Sequence, residues 1–326
     1  MPLDHFVSQV HLKRFYASDL GGKKMHAIRK TDGRKFPCGS EDVCRIEDGN
    51  TNTFLSEPRM IEEFAKLFEP KYNWACAALE EGQVHPNVVF VIAGFAAFVM
   101  CCSPTGMRLG SAPLEALVPI EAQLMDRMGL FDIVPPELGE KSVTELINEG
   151  SLVFDIDGRY PQAIGIRNIV DHVTAFGNFH WDILINKHAD TPFFTSDFPV
   201  AIEENSDPRI ANRIVPLTPW LAIRICPRVE LSGKKLEPTF EHFSYTAMTP
   251  SRHEILTLNR TIVRSAETIV FYPLIAPWVE GFVRKHAKFR VEIETTNIGI
   301  GTGFLSTSRT VVRPRNAPPK PDPLVA

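Results

Sequence analysis

The chain has 326 residues, enough for one large domain or about two of ordinary size. Apolar residues are 44% and charged residues 23%, which excludes a wholly disordered chain, a collagen and a coiled coil. The formal net charge is −4, so no global field draws the chain to nucleic acid or an anionic membrane, although a local basic patch stays open.

The N-terminus carries Asp4 with no apolar run behind it and does not read as a secretory signal. A short helix is predicted over Gln9 to Tyr16. Met25 to Arg29 and Arg34 to Phe36 flank Lys30-Thr31-Asp32-Gly33, where the Asp-Gly pair between extended runs signals a hairpin. Residues 37–54 are polar and read as a loop. From about 55 to 178 the apolar period is helical. Met60, Ile61, Phe64, Leu67 and Phe68 share one face after Ser56-Glu57-Pro58, and Pro70 should break that helix. Pro86 opens an apolar helix ending at Cys102. Its run from Val88 rises only about 22 Å, short of the roughly 30 Å of a bilayer core, so it reads as a buried core helix. Leu114 to Met128 is a further helix with a bend expected at Pro119. Ser142-x-x-Glu145 forms a capping box, and Ile166, Ile169, Val170, Val173 and Phe176 mark one more helical face.

After 178 the period changes to two. Phe179, Trp181, Ile183 and Ile185 alternate as a half-buried strand does, with Thr191 to Thr195 as its expected partner. Val200 to Ile202, Ile214 to Leu217 and Trp220 to Ile225 are short strands, and their short connections predict an antiparallel sheet. Thr249-Pro250 is expected to cap a helix carrying Ile255, Leu258, Ile262, Ala266 and Ile269, and Phe289 to Glu294 alternates again. The expected architecture is α+β: an N-terminal helix and hairpin, a helical middle, and an antiparallel sheet with a late helix. It forms one fused domain over 1–310. Residues 311–326 form a proline-rich tail that cannot build a core but could dock a protein partner through Pro318-x-x-Pro321. The six cysteines make no C-x-x-C pair and point to a reducing cytoplasm.

Several motifs fail on spacing. His253-Glu254 lacks the second histidine of a zinc helix, since position 257 is Thr. Asp155-Ile-Asp157-Gly158 brings its glycine too early for a calcium loop, and Gly299-x-Gly301-x-Gly303 lacks the helix that a dinucleotide fingerprint opens. No metal or cofactor can be assigned.

Two segments remain. One is His5-Phe6-Val7-Ser8-Gln9-Val10-His11-Leu12-Lys13-Arg14-Phe15. The other runs from Trp181-Asp182-Ile183 to Phe193-Phe194-Thr195-Ser196-Asp197-Phe198-Pro199-Val200. Together they resemble domain-of-unknown-function family 4238, whose members open with His-aromatic-Val-Pro-Gln and later carry Phe-x-Thr-Ser-Asp-Asn-Pro-Val. The resemblance spans roughly residues 5–272, with echoes in Pro216-Leu217-Thr218-Pro219 and in Leu258-Asn259. This chain departs from it with Ser8 in place of Pro and Phe198 in place of Asn. The resemblance implies no particular reaction.

The candidate site residues follow. His5, ahead of a helix N-terminus, is a candidate acid or base; it could equally fix the chain's approach by one hydrogen bond. Asp197, at a strand end, is a candidate base or metal ligand, or an Asx-turn anchor. Gln9, Arg108, Ser196 and Asn259 are candidate substrate contacts. Arg108 would clamp an anion, and Asn259 would line a pocket or tie its helix to the sheet. The function expected from these residues is a hydrolase of a negatively charged phosphoester such as nucleic acid. The alternative is a non-catalytic small-molecule or protein-binding module using the same cleft.

Overall fold

A computed structural model describes residues 3–131, 139, 141–207, 209–300 and 303–315. The chain begins with β1 (Leu3–His5) and α1 (Gln9–Lys13), the latter shorter than expected because the chain turns at Arg14. β2 (Met25–Arg29) and β3 (Lys35–Cys38) form the expected hairpin, with Gly33 at φ +70° in its turn. The polar stretch expected to be a loop contains β4 (Arg45–Glu47), which pairs with β1. The helical middle holds α2 (Met60–Phe68), α3 (Tyr72–Glu80), α4 (Pro86–Cys102), α5 (Pro104–Arg127), α6 (Val143–Asn148), α7 (Arg159–Arg167) and α8 (Ile169–Asn178).

Pro70 breaks α2 from α3 as expected, and α6 carries the Ser142–Glu145 capping box. α5 starts ten residues earlier than expected, capped by Ser103, and continues through both Pro113 and Pro119. The single face drawn through Ile166 and Phe176 is split between α7 and α8, and Val170 lies exposed. No single helix among the described residues is long and apolar enough to cross a membrane. Nearly all of α4 is buried, as a central core helix is.

The second half contributes β5 (His180–Ile185), β6 (Thr195–Ser196), β7 (Ala201–Glu204), β8 (Ala211–Thr218), β9 (Leu221–Cys226) and β10 (Ser244–Met248). These are followed by α9 (Arg252–Ser265), β11 (Ile269–Tyr272), α10 (Pro277–His286), β12 (Phe289–Ile300) and β13 (Gly303–Pro314). The main sheet runs β10-β5-β9-β8-β7. It is mixed rather than antiparallel, because β10 lies parallel to β5. The Thr191–Thr195 segment does not pair with β5. Thr195 instead joins β11 in a second sheet ordered β3-β2-β11-β6. Ser251, not Thr249, caps α9, in a capping box with Glu254. β13 extends through Pro314, so the expected tail begins later than 311; Pro318 and Pro321 lie outside the described residues.

Period-two alternation sorts each strand between two cores. Trp181, Ile183, Val215, Leu217, Ile223 and Ile225 face the helices, with α4 at the centre. Leu184, Ile214 and Ala222 face the other way, onto α9 and α10. The second sheet repeats the pattern. Ile28, Val270 and Tyr272 meet α9 and α10, while Met25, Ala27 and Phe271 close over Leu12 and Phe15 of the α1 region. The α+β fold thus layers helices, main sheet, α9 with α10, and second sheet, while α1 packs on the outer face of the second sheet and also reaches α3 and α4.

Candidate functional site

The two sequence motifs meet in the fold, but through residues other than those expected. His11 is fully buried, stacked on Phe95 at 4.8 Å between ring centroids. Its Nδ1 lies 2.8 Å from the Tyr72 hydroxyl and its Nε2 lies 2.8 Å from Thr195 Oγ1. This joins α1, α3 and β6. Burial lowers the His11 pKa to about 3, helped by Arg14, so the ring is neutral at pH 7. Sequence reasoning assigned His11 no role. Its signal was position: it sits four residues before Phe15 and beside Leu12, inside an apolar stripe.

His5 ends β1. Its Nε2 donates to the Ser40 carbonyl at 3.0 Å, and the Gln9 amide reaches its Nδ1 at 3.5 Å. The Ser40 hydroxyl donates to Gln9 Oε1 at 3.2 Å and accepts from Tyr16 at 3.0 Å. His5 and Gln9 are therefore brought together, in a ring of bonds that holds the β3–β4 connection. Burial pulls the His5 pKa down, against the pull of the Ser40 bond.

Asp197 is buried where β6 ends. Its Oδ1 accepts from the Glu267 amide at 2.9 Å. Its Oδ2 accepts from the Thr268 amide at 2.7 Å, the Thr268 hydroxyl at 2.5 Å and the Ile269 amide at 3.1 Å. Burial pushes the carboxyl pKa up, while these bonds and Lys30 pull it down. Lys30 is itself buried, its ammonium donating to the carbonyls of Arg264, Ala266 and Phe289. Burial lowers its pKa to about 7, with Asp197 opposing. The carboxylate and the lysine together pin residues 264–269 between α9 and β11. No hydrogen bond among the described residues joins His5 to Asp197.

The other expected contacts are also occupied. The Ser196 hydroxyl accepts from the Phe198 amide at 3.1 Å, an ordinary turn bond. Asn259 is fully buried, accepting from the Phe194 amide at 2.9 Å and donating to the Pro192 carbonyl at 2.8 Å, so it ties α9 to the sheet. Arg108 bonds Glu267 at 2.7 Å, Glu292 at 3.1 Å and the Val291 carbonyl at 3.0 Å. Glu267 thus links Arg108 to the Asp197 loop, and two carboxylates already neutralise the expected anion clamp.

One space that an apolar ligand can enter lies on the helical side of the main sheet. A cavity of about 350 Å³ is bounded by α4, α5, α7 and α8, by β7 and β8, and by the β12–β13 hairpin. Its wall is mostly apolar, including Leu109, Pro113, Ile164, Phe198, Ile202 and Ile293, with Arg213 and His172 as its basic side chains. Close helix packing shapes it. A Cβ on Gly110 would come within 2.8 Å of Pro161, and one on Gly165 within 2.9 Å of the Cys101 sulfur. Phe198 brings the second motif to this wall, one residue after Asp197. Among the described residues no group of histidine, cysteine or carboxylate side chains is placed to hold a metal ion.

Comparison with known proteins finds no matching family model, no matching curated protein and no matching solved structure.

Proposed function

We propose that this protein is a small-molecule-binding module whose ligand, largely apolar, occupies the cavity beneath α5 and β8. The observation that carries this reading is the partly open, mostly apolar cavity of about 350 Å³, within the size range of ligand pockets. The state of the motif residues supports it from the other side. A phosphoester hydrolase built on His5 and Asp197 needs both side chains free for a substrate. Here each spends its polar atoms on the framework. The resemblance to family 4238 then marks a shared framework, and Phe198, where the family usually has Asn, makes this chain's cavity more apolar. Six cysteines without a disulfide suit a cytoplasmic setting.

The test uses the neutral apolar dye N-phenyl-1-naphthylamine. Saturable fluorescence enhancement with a raised melting temperature is expected for the wild type, and loss of both for Leu109→Trp, which fills the cavity. Near-UV circular dichroism checks that the variant folds. Non-saturable dye binding, or binding unchanged by Leu109→Trp, would overturn the reading.

A further inference from the structure

We infer that the ligand of this cavity is a carboxylic acid with an apolar body, its carboxylate held by Arg213. The inference rests on the binding reading above and adds the chemical class. Arg213 lies on β8 two and four residues before Val215 and Leu217, both of which pack in the helical core. Alternation therefore sends its side chain to the helical face, where it lines the cavity. Its Nη1 donates to its neighbours' carbonyls, Ala211 at 2.6 Å and Asn212 at 3.4 Å. Its Nε is buried without a partner. No hydrogen bond from Nη2 and no ion pair of Arg213 occurs among the described residues, and no carboxylate lines the cavity.

Arg224, on the neighbouring strand and the opposite face, shows the ordinary arrangement. It reaches Asp182 at 3.0 Å and Glu203 at 2.8 Å. Arg213 has no such neutralisation among the described residues. Burial lowers its pKa only to about 10, so it keeps its charge at neutral pH. A charged guanidinium at an apolar cavity without a counter-ion is matched by an anionic group on the ligand, and a guanidinium's planar donors fit a carboxylate. His172 supplies no second positive charge. Crowding by protein holds it below its ordinary pKa despite Asp171. One cation matches one anionic charge, which favours a carboxylate over a phosphate dianion.

The experiment is displacement of bound N-phenyl-1-naphthylamine by decanoate, 1-decanol and decyl phosphate at pH 7.5. Decanoate is expected to compete at a concentration at least tenfold below that of decanol, with decyl phosphate no better than decanoate. Arg213→Met should keep dye binding and lose the preference for decanoate. Arg213→Gln serves in its place if the methionine variant does not fold. Equal competition by decanol, a preference that survives both substitutions, or stronger competition by decyl phosphate would overturn this inference while dye binding kept the cavity reading intact. A wild type that does not bind the dye removes the cavity reading itself.

Discussion

The α1–β6–α9 region and the cavity under β8 treat polar groups in opposite ways. In the first, His11, Ser196, Asp197 and Asn259 are buried and each polar side chain has protein partners. In the second, a guanidinium has one nitrogen bonded to carbonyls and the rest without partners among the described residues, in a mostly apolar wall. A buried group that has its bonds contributes little to chemistry and much to the frame, because removing it orphans several others. A group left short of bonds costs the frame something and is available to a ligand. The density of polar residues in a motif is therefore a poor guide to function here. The balance of partners is the better one.

The largest test of this contrast is Asp197→Ala. Three backbone amides and the Thr268 hydroxyl lose their acceptor, and Lys30 loses a nearby opposite charge. Each orphaned buried donor costs about 1–3 kcal/mol, so a loss of roughly 4 kcal/mol is expected in urea unfolding. A variant within 1 kcal/mol of wild type would show that the loop is held by something else and reopen Asp197 as a site residue.

His11→Phe comes next. The ring volume is kept, but the Tyr72 and Thr195 hydroxyls lose their partner, and a loss of about 2 kcal/mol is expected at pH 7.5. The pH dependence has a definite sign. The folded pKa, about 3, lies below the ordinary histidine value. The unfolded chain therefore binds the proton first, and the contribution of His11 is full above pH ~6.5 and falls as the pH is lowered toward 3. Wild type should lose stability relative to His11→Phe by up to ~1.4 kcal/mol per pH unit in that window. Parallel curves for the two proteins would mean that the ring is not buried neutral.

The sequence carries the frame of this molecule more openly than its cavity. The β2–β3 hairpin, the break at Pro70, the α6 capping box and the strands β7, β8 and β9 follow from local chemistry: turn residues, a missing amide, a side-chain cap and period-two alternation. Pairing across long separations does not. Nothing local in Thr195–Ser196 states that it joins β11 rather than β5, and β10 in parallel register is equally silent. Pro119 reads as a bend and Pro113 stands just before the expected helix start, yet both lie inside α5, where tertiary packing outweighs propensity. Of the candidate residues, Asn259 was legible as a tie because it lies on an apolar helix face. Arg213 carried a signal that went unused. An arginine in step with Val215 and Leu217 must point into the core. Whether such an arginine has a counter-ion depends on Glu203 and Asp182 facing the other side, which only the assembled sheet decides.

The smallest expected effect is the most discriminating, and it sets two arginines of one sheet side by side. Arg224→Met leaves Asp182 and Glu203 together without their shared cation at a partly buried surface. A loss of about 1–2 kcal/mol is expected, discounted for solvent screening. Arg213→Met removes a charge that has no carboxylate to leave behind and replaces it with an apolar chain in an apolar wall. Two carbonyl bonds go, and both acceptors belong to residues within two positions of it in the chain. The desolvation cost of the unpaired guanidinium goes with them, so unfolding stability should stay within about 0.5 kcal/mol of wild type or rise. A loss for Arg213→Met as large as for Arg224→Met would mean that the guanidinium has a structural partner after all. The contrast between the two faces of the sheet would then no longer point to a ligand.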